Sequence, residues 1–405
     1  MRTLLSDPRY RAFWIGQATS VIGNGITLVA LAALVIPHRG GQAFGLALAA
    51  ESLTMGVLLL GAGVLVDRYS RTAVMAIADV ARGIGVVGIL LFAASGPLAG
   101  LLVACAFVGA GIALHQPAHR AAIPQLVRPD QLQAANALDS ATMQLGLGAG
   151  TALGGVLVSV WGPRHAVLVD LATFAVSLLT LLWLRLPPVG ERPEGTGLRH
   201  ALHEAHEGIR EVRRRPWVAV VMLQGTVQVF CLFAPAFALI PVVALARYGN
   251  GAYGWYTTCG FVGTAIGAAL VARTRPQRPG WSAMNAVAPC ALLPLLLVVD
   301  LPLWAFCLIN AVAWAGIGWF AVLWFGALQT EFPAQVQGRV FSLESLATFG
   351  LQPLGLAIAP VVAAAVGLTT VAVVASLVMI VTTYAVFLVP GVARFRSPDL
   401  VPAQP

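Results

Sequence analysis

Apolar runs of roughly twenty residues follow one another along this chain, parted by short breaks rich in arginine, glycine and proline. A helix crossing the hydrocarbon core of a bilayer needs about 20 mostly apolar residues. Twelve such runs are present, over residues 12–36, 43–66, 73–94, 98–118, 134–160, 165–185, 217–245, 252–272, 281–299, 301–327, 340–365 and 368–390. They are longer than the roughly ten-residue alternating segments of a membrane β-barrel and apolar on every face. The pattern predicts an all-α polytopic membrane protein with twelve transmembrane helices in two pseudo-symmetric six-helix bundles. The first run is too long for a signal-peptide core, has no small-residue cleavage site and follows a basic tail, so it reads as an uncleaved first helix.

One long polar stretch interrupts the series. It divides the chain into an N-terminal bundle (1–186), a cytoplasmic linker (187–215), a C-terminal bundle (216–391) and a tail (392–405). In the linker Leu198, Leu202, Ala205, Ile209 and Val212 recur at helical spacing, with Glu207/Arg210 and Glu211/Arg215 at ion-pairing distance on the other face. This predicts a short amphipathic helix on the membrane surface. His200, His203 and His206 repeat every three residues and so fan around that helix; with no second ligand cluster beyond Glu204 or Glu207, they read as a solvated interfacial face and no metal is expected. The halves echo each other. Ile123-Pro124-Gln125 and Gln131-Leu132-Gln133 before helix five are matched by Glu331-Phe332-Pro333 and Gln335-Val336-Gln337 before helix eleven, at an offset of about 204 residues, as a parallel duplication produces.

Composition fits the same picture: 59% of the 405 residues are apolar and 10% charged, too little charge to cover a water-soluble surface. All 24 basic residues are arginine. Twenty lie in the even-numbered loops and the tails, three (Arg39, Arg164, Arg247) in the opposite loops, and Arg82 within a helix. Basic residues accumulate in cytoplasmic loops, so both termini are expected in the cytoplasm. The net charge of +8 does not indicate nucleic acid, because no basic soluble domain carries it. Cys105, Cys231, Cys259, Cys290 and Cys307 all fall in apolar runs without CxxC spacing and predict no disulfide. No GxxxxGK[ST] loop for ATP occurs, and no nucleophile–base constellation points to an enzyme.

Two motifs add chemistry. The loop after helix two reads Gly63-Val64-Leu65-Val66-Asp67-Arg68-Tyr69-Ser70-Arg71-Thr72, and resembles the GxLxDRxGRR signature of the major facilitator superfamily. Helix five carries Gly146, Gly150, Thr151, Gly154 and Gly155, in the register of that superfamily's antiporter motif, GxxxGPxxGG. The stretch from Gln116-Pro117-Ala118 through Ile123-Pro124-Gln125-Leu126-Val127 to Leu132 and Ala135-Asn136-Ala137-Leu138 is similar to the branch containing macrolide-efflux proteins and siderophore exporters. The resemblance implies the major facilitator fold, a bacterial inner-membrane location and a monomer. It also implies alternating access and proton-driven export of a bulky amphipathic small molecule, with no cofactor beyond the proton gradient. It further implies a cytoplasmic gate in which Gly63 allows close packing, Asp67 faces a helix N-terminus, and Arg68 and Arg71 complete an ionic latch. Asp139, just inside helix five, is expected to join Arg68, Arg71 and Arg120 there. Ser70, Thr72 and Thr151 depart from the motifs; threonine bends a helix only mildly where proline would break a hydrogen bond.

A charge near the bilayer centre costs about 2.5–3.5 kcal/mol on insertion scales and so needs a reason. Glu51 in helix two has no basic neighbour one turn away and is the first candidate for a proton-coupling group; Asp79 and Arg82, i and i+3 on helix three, are the second, and Asp170 lies in helix six. Asn24 stands where the efflux branch usually carries an acid. Gln17, Asn24, His115, Gln144, Gln224, Gln228, Asn310 and Trp314, at mid-helix depth, predict a substrate cavity more apolar than charged. An importer or uniporter of the same fold, or a transporter-like sensor without net transport, are the competing readings.

Overall fold

The computed structural model describes residues 2–187, 209–274 and 276–396; the linker histidines His200, His203 and His206 and most of the expected amphipathic helix lie outside them. Among the described residues, eleven helical segments are long and apolar enough to cross a membrane. The first of them holds two crossings. It runs Pro8–Arg68, 61 residues, and is broken at Gly40, whose φ of 78° and ψ of 173° are non-helical. A straight helix of that length would extend about 90 Å, three times a hydrocarbon core, so the chain must turn back where glycine permits the conformation. Arg39 secures this turn by donating to the carbonyls of Ala93 and Gly96, both at 2.8 Å.

Spans 1 and 2 thus share that helix. Span 3 is Arg71–Phe92, span 4 Leu98–Leu126, span 5 Leu132–Val160 and span 6 Pro163–Leu184. Span 7 comprises Pro216–Gln228, a π-helical turn Val229–Phe233 and Ala234–Tyr248. Span 8 is Ala252–Ala272, span 9 begins with Pro279–Val287, span 10 is Leu303–Glu331, span 11 comprises Ala334–Phe349 and Gln352–Val366, and span 12 is Leu368–Ala385. Two expected continuous helices are interrupted. Span 9 tightens into 3-10 turns at Ala288–Leu292 and Pro294–Leu297, where Pro289 and Pro294 remove backbone donors. Span 11 breaks at Gly350–Leu351, just ahead of Pro353. The duplication is visible in the backbone: Gly162 before span 6 and Gly367 before span 12 both have positive φ, 84° and 85°.

Large apolar side chains stay exposed along the spans, Val160 and Leu179 among them, which is the surface a lipid solvent requires. Exposed Trp161, Trp183 and Trp304 sit at span ends, where indoles favour the membrane–water boundary.

By packing, the chain divides into two units: Met1–Thr196 with Pro241–Thr258, and Gly197–Ile240 with Cys259–Pro405. In the first, glycines on span 5 bring backbones together. A Cβ on Gly146 would meet Val21 at 2.9 Å and one on Gly154 the Ile26 Cα at 3.0 Å, while one on Gly150 would run into the Ile22 carbonyl. On the adjoining face a Cβ on Gly155 would meet the Gly251 carbonyl at 3.0 Å. In the second, Trp217, Trp324 and Phe395 pack around Met284 and Val392.

Candidate functional site

In the first unit several buried polar residues gather around one ion pair. Asp79 and Arg82 are each 2% exposed and form an ion pair on span 3. Span 6 supplies Ser177, which donates to Asp79 Oδ2 at 2.6 Å. Span 1 supplies Ser20 Oγ at 3.1 Å and Asn24 Oδ1 at 3.4 Å, both accepting from Arg82, whose guanidinium also lies 4.5 Å from the Phe174 ring centre. Gly23 and Gly25 flank Asn24 for a steric reason: a Cβ on Gly23 would strike Asp170 and Thr173, and one on Gly25 the Gly150 Cα at 2.8 Å. Span 1 is therefore wedged between spans 5 and 6 with its amide facing the arginine. Asn24 thus neither adds a second carboxylate around Arg82 nor leaves it unpartnered.

Span 4 adds two histidines. His115 Nε2 stands 3.8 Å from Asp79 Oδ1; its ring stacks at 5.9 Å on His119, which stacks at 4.6 Å on Phe13. His119 Nε2 in turn meets Asp139 Oδ1 at 2.7 Å. Asp139 therefore joins the end of this histidine column, and its partner is His119 where Arg68, Arg71 or Arg120 was expected. The reason is helical geometry: His115 and His119 are i and i+4 on one face, so their rings reach from the network to the start of span 5. The sequence carried this signal in the spacing, but not that span 5 faces it. Asp170 is held separately, accepting from Thr27 at 2.5 Å and Thr173 at 3.1 Å.

Glu51 stands apart. Its carboxylate makes no hydrogen bond or ion pair among the described residues, and its backbone packs against span 4, where a Cβ on Gly109 would strike the Glu51 carbonyl. At the motif in the loop after span 2, the Asp67 side chain, expected to face a helix N-terminus, lies outside the described residues. Arg68 is exposed beside Tyr69, whereas Arg71 is buried, and among the described residues its Nε and Nη1 have no hydrogen-bond partner. The two departures from the motif have a role in packing. Ser70 donates to the Leu186 carbonyl at 2.5 Å and Thr72 accepts from the Leu186 amide at 3.1 Å, so the loop is fastened to the end of span 6.

Thr151, in the place of the motif's proline, leaves span 5 unbroken from Leu132 to Val160. Its hydroxyl lies 3.0 Å from the Gly148 carbonyl and 2.9 Å from the Thr258 hydroxyl, a contact proline cannot make.

Of the eight residues expected to line a substrate cavity, four belong to the first unit and four to the second. Gln17 bonds Met143 and is buried, Gln144 is exposed, and Asn24 and His115 belong to the network above. Gln224, Gln228 and Trp314 instead line a cavity of about 300 Å³ inside the second unit. Asn310 is buried but outside its lining. Aromatic rings dominate this cavity, with Phe233, Phe237, Phe320 and Trp324 alongside Trp314. Span 11 places one carboxylate in it, Glu344, which the sequence reading missed because it lies four residues into an apolar run with nothing local to mark it. Thr348 donates to Glu344 Oε1 at 3.1 Å.

A chain of membrane-crossing helices with a buried ionic network in one unit and an aromatic-lined cavity in the other belongs to the class of multi-span transporters. The solved nucleoside transporter NupG superposes with a TM-score of 0.74 at 12% identity over 93% of this chain and 98% of that one, a likeness of fold. The sequence model of the Major Facilitator Superfamily matches residues 13–351, and the chain belongs to that family. Macrolide efflux protein A of Streptococcus pyogenes is 27% identical over 247 residues, so the chain matches 60% of that relative's length. The multidrug efflux pump Tap of Mycolicibacterium fortuitum is 27% identical over 402 residues, 94% of this chain and 95% of that protein.

Proposed function

We propose that this transporter exports an amphipathic small molecule from the cytoplasm across the bacterial inner membrane, with both termini inside, by alternating access driven by proton entry. The observation that carries the coupling is the buried Asp79–Arg82 pair and its neutral escorts. A proton on Asp79 removes the charge that holds Arg82, leaving the guanidinium to Ser20, Asn24 and the Phe174 ring. Loading and unloading this one carboxylate therefore changes how span 3 is bonded to spans 1 and 6. The column of His115, His119 and Asp139 extends from Asp79 towards a carboxylate whose side chain is 19% exposed, a polar route in an otherwise apolar bundle. The export direction rests on the likeness to the two efflux proteins. Arg68 and Arg71 form the cytoplasmic gate in this reading, and the small-residue face Gly146, Gly150, Gly154 and Gly155 lets span 5 slide against its neighbours without side-chain obstruction.

Purified protein in liposomes containing a pH-sensitive dye tests the coupling. Asp79→Asn is expected to abolish substrate-dependent proton movement, while Glu51→Gln reduces it less. Full proton movement in Asp79→Asn would remove Asp79 from the mechanism. Greater drug sensitivity in an efflux-deficient host expressing the protein would reverse the direction to import. Measurable substrate binding with no turnover would favour a sensor.

A further inference from the structure

We propose that the aromatic cavity of the second unit binds lipophilic monocations, with Glu344 as the counter-charge and the Gln224 carbonyl oxygen as a hydrogen-bond acceptor. This names a substrate class for the export reading above and rests on it for its purpose, though the binding itself is measurable without transport.

Among the described residues, Glu344 is the sole ionisable one in the lining, and no arginine or histidine pairs with it. Its neighbours in the cavity are predominantly apolar side chains and rings. An isolated carboxylate in such surroundings is costly, and a cation in the cavity is the partner that would offset the cost. Gln224 points the same way. It is 5% exposed; its amide nitrogen contacts Met284 Sδ at 3.4 Å, while no donor among the described residues reaches its buried Oε1. Gln228 has its amide nitrogen committed to Thr382 and Thr383, both at 3.0 Å. Gln224 therefore offers the cavity an acceptor, which a cationic N–H group satisfies and a carboxylate does not.

The rings complete the site. Trp314 lies about 6 Å from both Phe233 and Phe237, and Trp324 lies 6.0 Å from Phe320. The negative faces of such rings attract cations, tryptophan most strongly. A single carboxylate balances one positive charge. A polyanion such as a catecholate siderophore would meet repulsion from Glu344 and find no cation in the lining.

The test is equilibrium binding of labelled tetraphenylphosphonium to the full-length protein in detergent, with competition by 4-phenylbutylammonium and by 5-phenylvalerate, which share a skeleton and differ in the sign of their charge. The ammonium is expected to compete and the carboxylate not. Glu344→Gln is expected to weaken tetraphenylphosphonium binding about tenfold, and Glu344→Asp, which keeps the charge, to weaken it less. Gln224→Met is expected to weaken phenylbutylammonium about threefold to tenfold but to spare tetraphenylphosphonium, which has no N–H; this separates recognition from misfolding. Equal competition by the two phenylalkyl ions, or unchanged affinity in Glu344→Gln, would overturn the proposal. Cation binding with the expected pattern in a protein that moves nothing in liposomes would overturn the export reading and leave this one standing.

Discussion

The two units carry the same pattern of contacts written in different chemistry. In the first, His115 stacks on His119 at 5.9 Å, and His119 reaches Asp139 on span 5. Advancing each by 205 positions (115 to 320, 119 to 324, 139 to 344) gives Phe320, Trp324 and Glu344. Phe320 stacks on Trp324 at 6.0 Å, and both line the cavity that Glu344 of span 11 enters. The same step carries Asp79 to Met284 and Arg82 to Val287. Duplication fixed which backbone positions meet, and substitution then decided whether the meeting place holds charge or space. Serines, threonines and an amide surround the charges of the first unit, whereas rings line a cavity at the matching positions of the second. The contrast shows that helix packing is the inherited part of this fold and interior polarity the adaptable part.

The sharpest way to break the comparison is to give the first unit the second unit's residues. Asp79→Met alone leaves Arg82 buried without its counter-ion and is expected to destabilise by about 3–5 kcal/mol. Adding Arg82→Val removes the orphan charge and should recover most of that loss, seen as a return of the thermal midpoint in detergent. Equal midpoints for single and double variants would mean that the pair is not coupled.

Next in size is packing. Gly150→Ala puts a methyl into the Ile22 carbonyl, whereas Gly326→Ala on span 10 enters open space. The first is expected to cost about 1–3 kcal/mol and the second to be neutral, so the two thermal midpoints should separate clearly. Thr151→Val removes a hydroxyl but keeps shape, for an expected loss of about 0.5–1.5 kcal/mol from the unmade bond to Thr258. A midpoint equal to wild type would show that this bond does not hold spans 5 and 8 together.

The smallest effect belongs to the water-facing end of the linker. The hydrogen bond from Arg215, with Arg214 and Arg210 nearby, holds the Glu211 carboxyl below its ordinary range. A carboxylate depressed in the folded state stabilises above its unfolded value, and that contribution fades as the pH falls through the folded one. Solvent and salt screen the pair, so Glu211→Gln is expected to cost only a few tenths of a kcal/mol above pH 5 and nothing in stronger acid. A salt-independent loss larger than that of Thr151→Val would place Glu211 in the folding core.

Much of this was legible in the order of residues. The apolar runs, the arginine-bearing loops, the glycine register of span 5 and the Glu211–Arg215 pair rest on local spacing, and local spacing survives folding. The partners of charged residues were less accessible. Charge alone matches Asp139 to the arginines of the neighbouring loops, yet it meets His119 because the column on span 4 points there. Glu344 had no local neighbour to mark it, since its surroundings come from spans 7 and 10.

The sequence by itself determined that this chain spans a membrane many times, that its halves are copies, and that its loop and span-5 motifs are those of its family. A bilayer enforces apolar length and internally satisfied backbone, and both are properties of contiguous residues. Tertiary structure alone decided that Asn24 serves Arg82, that the helix of Pro8–Arg68 turns at Gly40, and that a lone carboxylate sits among rings. Those outcomes depend on side chains that meet from distant parts of the chain, and no spacing rule within one helix can state which distant face will be presented.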